Sequence, residues 1–150
     1  MAEVNSFNAA ELAAGRKIGP TFNGQDQRAI IRWPAVHAFA NGDTIGSGVI
    51  LKRGARLTGI PVLSFGTGAA SSTLACGIRD AVTKVATDAT AIFAATAFQT
   101  AATAMPLTGS KIITGQDYLM LADQEIYFTV AGATPTANQV VRVEVQYMNP

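Results

Sequence analysis

The sequence predicts an all-β domain, an antiparallel sandwich or barrel, and three observations carry that expectation. In Val141-Arg142-Val143-Glu144-Val145-Gln146-Tyr147 the valines and the tyrosine fall on one parity, and Arg142, Glu144 and Gln146 fall on the other. Strand side chains alternate between faces, so this is a strand with one apolar and one polar side. About eight or nine such runs recur at roughly ten-residue spacing with turn residues between them, the rhythm of a sandwich or barrel. Third, the long amphipathic helices that an open α/β sheet requires between its strands are missing.

Residues 1–27 read as an N-terminal arm that orders on meeting a partner, ahead of one domain over residues 28–150. Within the arm, Asn8 as cap and Gly15 as stop bracket one or two helical turns. Arg16, Lys17, Gly19, Pro20, Asn23 and Gly24 follow as polar, turn-prone chain, and a strand through Lys17 to Phe22 completing the sheet is the alternative.

The first strand of the domain spans Arg28 to Trp33 and ends at Pro34, which cannot donate to a ladder; Val36 to Phe39 continues it after a kink. Beyond the turn at Asn41-Gly42-Asp43 comes Thr44 to Leu51, where Gly46 and Gly48 mark a bulge or a close backbone approach. Lys52-Arg53-Gly54-Ala55 is expected to be a hairpin turn, and Arg56 to Phe65 the returning strand, with Pro61 calling for an edge or a bulge. Gly66 to Ser71 is a loop, and Ser72 to Arg79 is a strand with Leu74, Cys76 and Ile78 in phase.

Alanine favours helix and threonine favours strand, so the Ala/Thr-rich stretch 81–104 is divided. A strand near Thr90 to Ala94 followed by irregular or briefly helical chain is the expectation, with a helix capped by Asp88 as the alternative. Ser110 to Ile113 and Tyr118 to Leu121 are expected strands around a turn at residues 114–117. Glu125 to Val130 and Val141 to Tyr147, joined by a turn-rich connector, are expected to close the fold as an antiparallel pair.

Charged residues make up only 14% of the chain and net charge is +1, which argues against a bulk nucleic-acid binder. A charge-poor chain rich in Ala, Thr and Gly suits a surface that is covered in an assembly. One cysteine excludes an intramolecular disulfide and a multi-cysteine metal site. No basic-then-apolar leader and no membrane-length apolar run is visible, so synthesis in a cytoplasm without membrane association is expected.

Catalytic chemistry finds little to work with. His37 is the only histidine, and pairing with Ser47 or Cys76 would be needed to build an activated nucleophile. A packed strand residue is the simpler reading of His37, and a small core residue that of Cys76. Asp80 with Asp88, or Asp117 with Asp123, lacks calcium-loop spacing and suits turns instead. Gly66-Thr67-Gly68-Ala69-Ala70-Ser71 lacks the third glycine and the following helix of a dinucleotide turn. No catalytic residue, metal, cofactor or small-molecule substrate is therefore expected. The one basic cluster, Lys52, Arg53 and Arg56, is either a solvated turn or an anchor for a partner.

The run Gly48-Val49-Ile50-Leu51-Lys52-Arg53-Gly54-Ala55-Arg56-Leu57-Thr58-Gly59 resembles a strand–turn–strand of small structural proteins of tailed bacteriophages. The stretch Asp117 to Val130 and the Val-rich strand closing at Tyr147 are similar to the same group, the head decoration (cement) proteins and related jelly-roll virion proteins. The resemblance covers roughly residues 44–148 and rests on pattern, with no signature residue. It implies a non-enzymatic jelly-roll β-sandwich of about eight strands, homotrimeric, seated on the major capsid protein at the outer surface of a virion. Phe7, Leu12, Arg16, Lys17 and Phe22 of the arm, with Lys52, Arg53 and Arg56, are the expected capsid or subunit contacts. The alternative is a head-fibre or tail adsorption module binding host glycans; a small glycan-active or cupin-like enzyme and a cellular β-sandwich stand further off.

Overall fold

A computed structural model describes residues 26–113 and 118–150. Nine strands form among the described residues: β1 Asp26–Arg32, β2 Thr44–Leu51, β3 Arg56–Leu57, β4 Val62–Phe65, β5 Thr73–Asp80, β6 Ala86–Ala97, β7 Ala102–Ala104, β8 Gln124–Ala131 and β9 Val141–Met148. One helical turn, α1, spans Ser110–Ile113. The first sheet has the order β1-β9-β4-β7, with β3 also on β9, and the second has the order β2-β8-β5-β6. Every pairing is antiparallel. Apart from the β5–β6 hairpin, and with β3 a short addition, successive strands cross between two facing four-strand paths, which is the jelly-roll sandwich.

Parity decides what lies between the sheets. Ile126, Phe128 and Val130 of β8, Val141, Val143 and Val145 of β9, and Leu74, Cys76 and Ile78 of β5 point inward and are buried. They meet Ile31 and Trp33 from the first strand region, Leu63 and Phe65 from β4, and Phe93 from β6. Burying a side chain of this size stabilises by about 1.5–3 kcal/mol each, so this shared interior holds the two sheets together.

The closing pair is where the expected pairing fails. β8 lies between β2 and β5 in one sheet, and β9 between β1 and β4 in the other, so the connector crosses the sandwich and makes no hairpin. Two-residue periodicity fixes which side chains face in; it carries no information about which strand lies alongside. Lys52 to Ala55 is a tight turn, with the Ala55 N–H donating to the Lys52 carbonyl at 2.9 Å and Gly54 at φ 91°. It too changes sheets, because β3 and β4 pair with β9 and neither pairs with β2. The expected single strand 56–65 is broken at residues 58–61, where Pro61 lacks a donor and a Cβ on Gly59 would fall 1.8 Å from Gln146 Oε1.

Other expectations shift as well. β1 starts two residues before Arg28, and residues 33–40 form no strand, because His37 Nδ1 bonds the Pro34 carbonyl oxygen (2.8 Å) and curls the chain. In the Ala/Thr-rich stretch the threonines prevail: β6 is a twelve-residue strand and β7 follows it. Asp88 caps no helix there, accepting instead from Thr90 N at 2.9 Å and from Ser110 Oγ. That second bond holds Ser110–Ile113 as α1 in place of the expected strand, with Gly109 packed so closely that a Cβ would meet the Ile92 carbonyl oxygen. Tyr118 to Leu121 contributes a single bridge, Arg56 to Leu119. The helical turns expected at Asn8 to Gly15 and the turn at 114–117 lie outside the described residues.

Candidate interaction surfaces

The residues tested for catalysis are placed in structural roles. His37 is buried, stacked on Phe39 at 4.7 Å between ring centroids and edge-on to Trp33 at 5.2 Å. Ser47 Oγ accepts from Val49 N at 3.0 Å, and Cys76 is fully buried between the sheets, its thiol pushed up by that burial. Asp80 accepts from Val82 N, Thr83 N and Thr83 Oγ1, which close the β5–β6 turn and hold its carboxyl below the usual range. Among the described residues no three His, Cys, Asp or Glu side chains gather as metal ligands do.

One end of the sandwich carries the basic turn. Asp123 accepts from Arg53 N at 2.9 Å and pairs with Lys52 Nζ at 2.9 Å, and these bonds hold its carboxyl low. The Asp123 carbonyl also receives the Ala81 N–H, so three loops are stitched together here. Exposed Val82 and Leu121 flank the stitch. Arg56 pairs through its backbone with Met148, as does Asp26, so the chain before β1 joins the domain at this same end. Lys52 and Arg53 lie in this turn and Arg56 begins the strand just after it, whereas Phe7, Leu12, Arg16, Lys17 and Phe22 lie outside the described residues.

The outer face of the β2-β8-β5-β6 sheet holds an enclosed ion cluster. Glu125 Oε2 pairs with Arg79 Nε at 2.8 Å and Lys84 Nζ at 2.9 Å, and Oε1 accepts from Gly48 N at 3.2 Å. Burial alone would raise the Glu125 carboxyl, but the Lys84 and Arg79 bonds outweigh it and hold the group low. The glycines in β2 make room for this: a Cβ on Gly46 would lie 2.5 Å from Arg79 Nη2, and Gly48 takes φ 72° at the bulge. Arg79 also stands over the Tyr127 ring at 5.2 Å. The cluster ties three strands of one sheet, so its role is structural.

The outer face of the other sheet was missed as a site in the sequence. Arg28, Ile30 and Arg32 share the outward parity of β1, and Arg142, Glu144 and Gln146 share that of β9. Glu144 pairs with Arg28 Nη1 at 2.9 Å and with Arg142 Nη2. Arg32 stands directly across the ladder from Arg142 and has no ion-pair partner among the described residues. Like charges facing each other across strands are destabilising. The signal was present as outward arginines on two strands, but it needed the β1–β9 register to join them.

Arg32 and Arg142 also border a cleft of about 450 Å³ lined by Trp33, Pro34, Ala35, Val140 and Val141. Its two walls are tied by Trp33 N to the Val141 carbonyl (3.0 Å), His37 N to Asn138 Oδ1 (2.9 Å) and Asn138 N to the His37 carbonyl (3.1 Å). Val36 and Val140 stand 84% and 73% exposed beside it. Several buried polar atoms in this part of the fold find no partner among the described residues: the donors Trp33 Nε1 and Arg142 Nε, with His37 Nε2 and Gln139 Oε1.

No protein-family model matches the chain, and no curated protein sequence matches it. Solved structures do. A chain in the capsid of Ralstonia phage GP4 is 17% identical with a TM-score of 0.65, the alignment covering 84% of this chain and 85% of that one. A chain in the capsid asymmetric unit of cyanophage Pam1 is also 17% identical, with a TM-score of 0.54 over 100% of this chain and 92% of that one. At this identity the likeness is one of fold.

Proposed function

We propose that this chain is a structural virion protein that decorates and stabilises a phage capsid by binding the major capsid protein from the outside, as a homotrimer. The observation that carries the reading is the jelly roll itself, which aligns over 84% of its length with a chain taken from a phage capsid. Fold alone does not give function, so the site chemistry must agree. Alongside the fold, His37 lies in an aromatic stack, Cys76 is sealed in the core, Asp80 and Asp123 serve turns, and Asp88 bonds Thr90 and Ser110. In this reading the arm, through Phe7, Leu12, Arg16, Lys17 and Phe22, grips the shell beside Lys52, Arg53 and Arg56.

Binding of host glycans fits less well, because sugars stack on exposed rings. Trp33 and Tyr127 are buried, and Tyr118 and Tyr147 are half-buried against the core. Deleting residues 2–22 and measuring co-sedimentation with undecorated shells tests the arm. Loss of binding is expected; unchanged binding would remove the arm from the interface.

A further inference from the structure

We infer that the cleft between Trp33 and Val140, together with Arg32 and Arg142, receives a segment of the shell protein that carries a carboxylate beside an apolar side chain. This rests on the decoration reading and names the chemistry of the partner at a second contact. Trp33, Pro34, Ala35 and Val140 give the cleft an apolar part, with exposed Val36 next to it in the chain. The cations at its mouth are unbalanced: Glu144 serves Arg28 and Arg142, and Arg32 opposes Arg142 with no acid of its own among the described residues. An incoming carboxylate relieves the Arg32–Arg142 repulsion, and its apolar neighbour covers the exposed valines.

A nucleic-acid backbone suits this surface poorly. Glu144 sits among the arginines and repels a run of phosphates, and the apolar part of the cleft offers a phosphate chain nothing. A single carboxylate at the cleft mouth avoids both problems. The same face leads back to the start of the domain. β1 runs from the end where the arm joins, at Asp26, to the cleft at Arg32, and Arg28 and Ile30 face outward between them. A domain lying on its β1–β9 face therefore holds the shell at both ends of one strand.

The test uses full-length protein and shells assembled from the major capsid protein of the same phage. Arg32→Glu is expected to weaken co-sedimentation by about tenfold or more and to reduce its sensitivity to salt. Val140→Asp is expected to weaken it similarly, while Arg32→Lys stays within a few-fold of the parent. Both positions are exposed, and unchanged thermal unfolding shows that each variant is folded. Parent-level binding by Arg32→Glu and Val140→Asp would overturn the cleft assignment and leave decoration standing. Failure of the parent itself to bind shells would overturn the decoration reading and this inference with it. Displacement of the shell by a short oligonucleotide would assign the arginines to phosphate and also overturn it.

Discussion

Replacing Glu125 with glutamine removes one negative charge from an enclosed ion cluster while keeping the shape of the side chain. Glu125 is 6% exposed at its side chain, Arg79 is 13% exposed and Lys84 is 49% exposed. Removing one partner of a buried pair costs about 3–5 kcal/mol, because the remaining charge stays desolvated. Lys84 can turn to water, so the lower end applies, about 3 kcal/mol. For a domain of this size each kcal/mol moves the midpoint by roughly 2–4 °C, which gives a drop of about 6–12 °C. Thermal unfolding followed by circular dichroism at pH 7 and fixed protein concentration reads it. The pH dependence supplies a second check. The folded carboxyl is held below its unfolded value of about 4.3, so its contribution is complete above that value. It is lost as pH falls through the lower folded value, and the gap between parent and Glu125→Gln should close in acid. A midpoint within about 2 °C of the parent at neutral pH would refute the claim that burial makes this cluster strong.

Two further substitutions test the packing. Phe128→Ala empties a fully buried position between the sheets and should cost about 3–5 kcal/mol, measured as a lower urea midpoint with unchanged slope. Gly77→Ala places a methyl 2.3 Å from the Asp88 carbonyl oxygen, a backbone atom, so β6 must move away from β5. A loss of about 1–3 kcal/mol is expected, and urea unfolding within error of the parent would mean that the β6 bulge yields freely.

The sequence was most legible where a strand has one face buried. Thr44–Leu51 forms as expected to the residue, and the inward valines of β9 and the Leu74, Cys76, Ile78 set of β5 lie in the core as their parity requires. It was least legible where pairing depends on residues far away. Glu125 to Val130 and Val141 to Tyr147 look like two halves of a hairpin because they are neighbours in sequence, yet each is the inner strand of a different sheet. The burial of Glu125 and Tyr127 follows from that. Their parity marks them as outward, but Arg79 and Lys84 close on Glu125 and Arg79 stands over Tyr127. Ser110 to Ile113 was missed for the same reason, since the hydrogen bond that holds it runs to Asp88, on a strand more than twenty residues earlier.

The candidate site obeys the same division. Lys52, Arg53 and Arg56 could be found in the sequence because they are contiguous, but adjacency hid Asp123, which binds both Lys52 and the backbone of Arg53. Arg28, Arg32 and Arg142 could not be found together, because only the β1–β9 register sets Arg32 opposite Arg142. That same register argues about selection for stability. Glu144 shows that an acid on this face can balance Arg28 and Arg142 at once, at 2.9 Å from Arg28. A face selected for the isolated domain would give Arg32 a similar acid, since facing cations on neighbouring strands cost free energy and an exposed ion pair is easily made. Leaving Arg32 unbalanced beside an apolar cleft, in a chain with only ten acidic residues, is the arrangement expected when the missing charge comes from the partner.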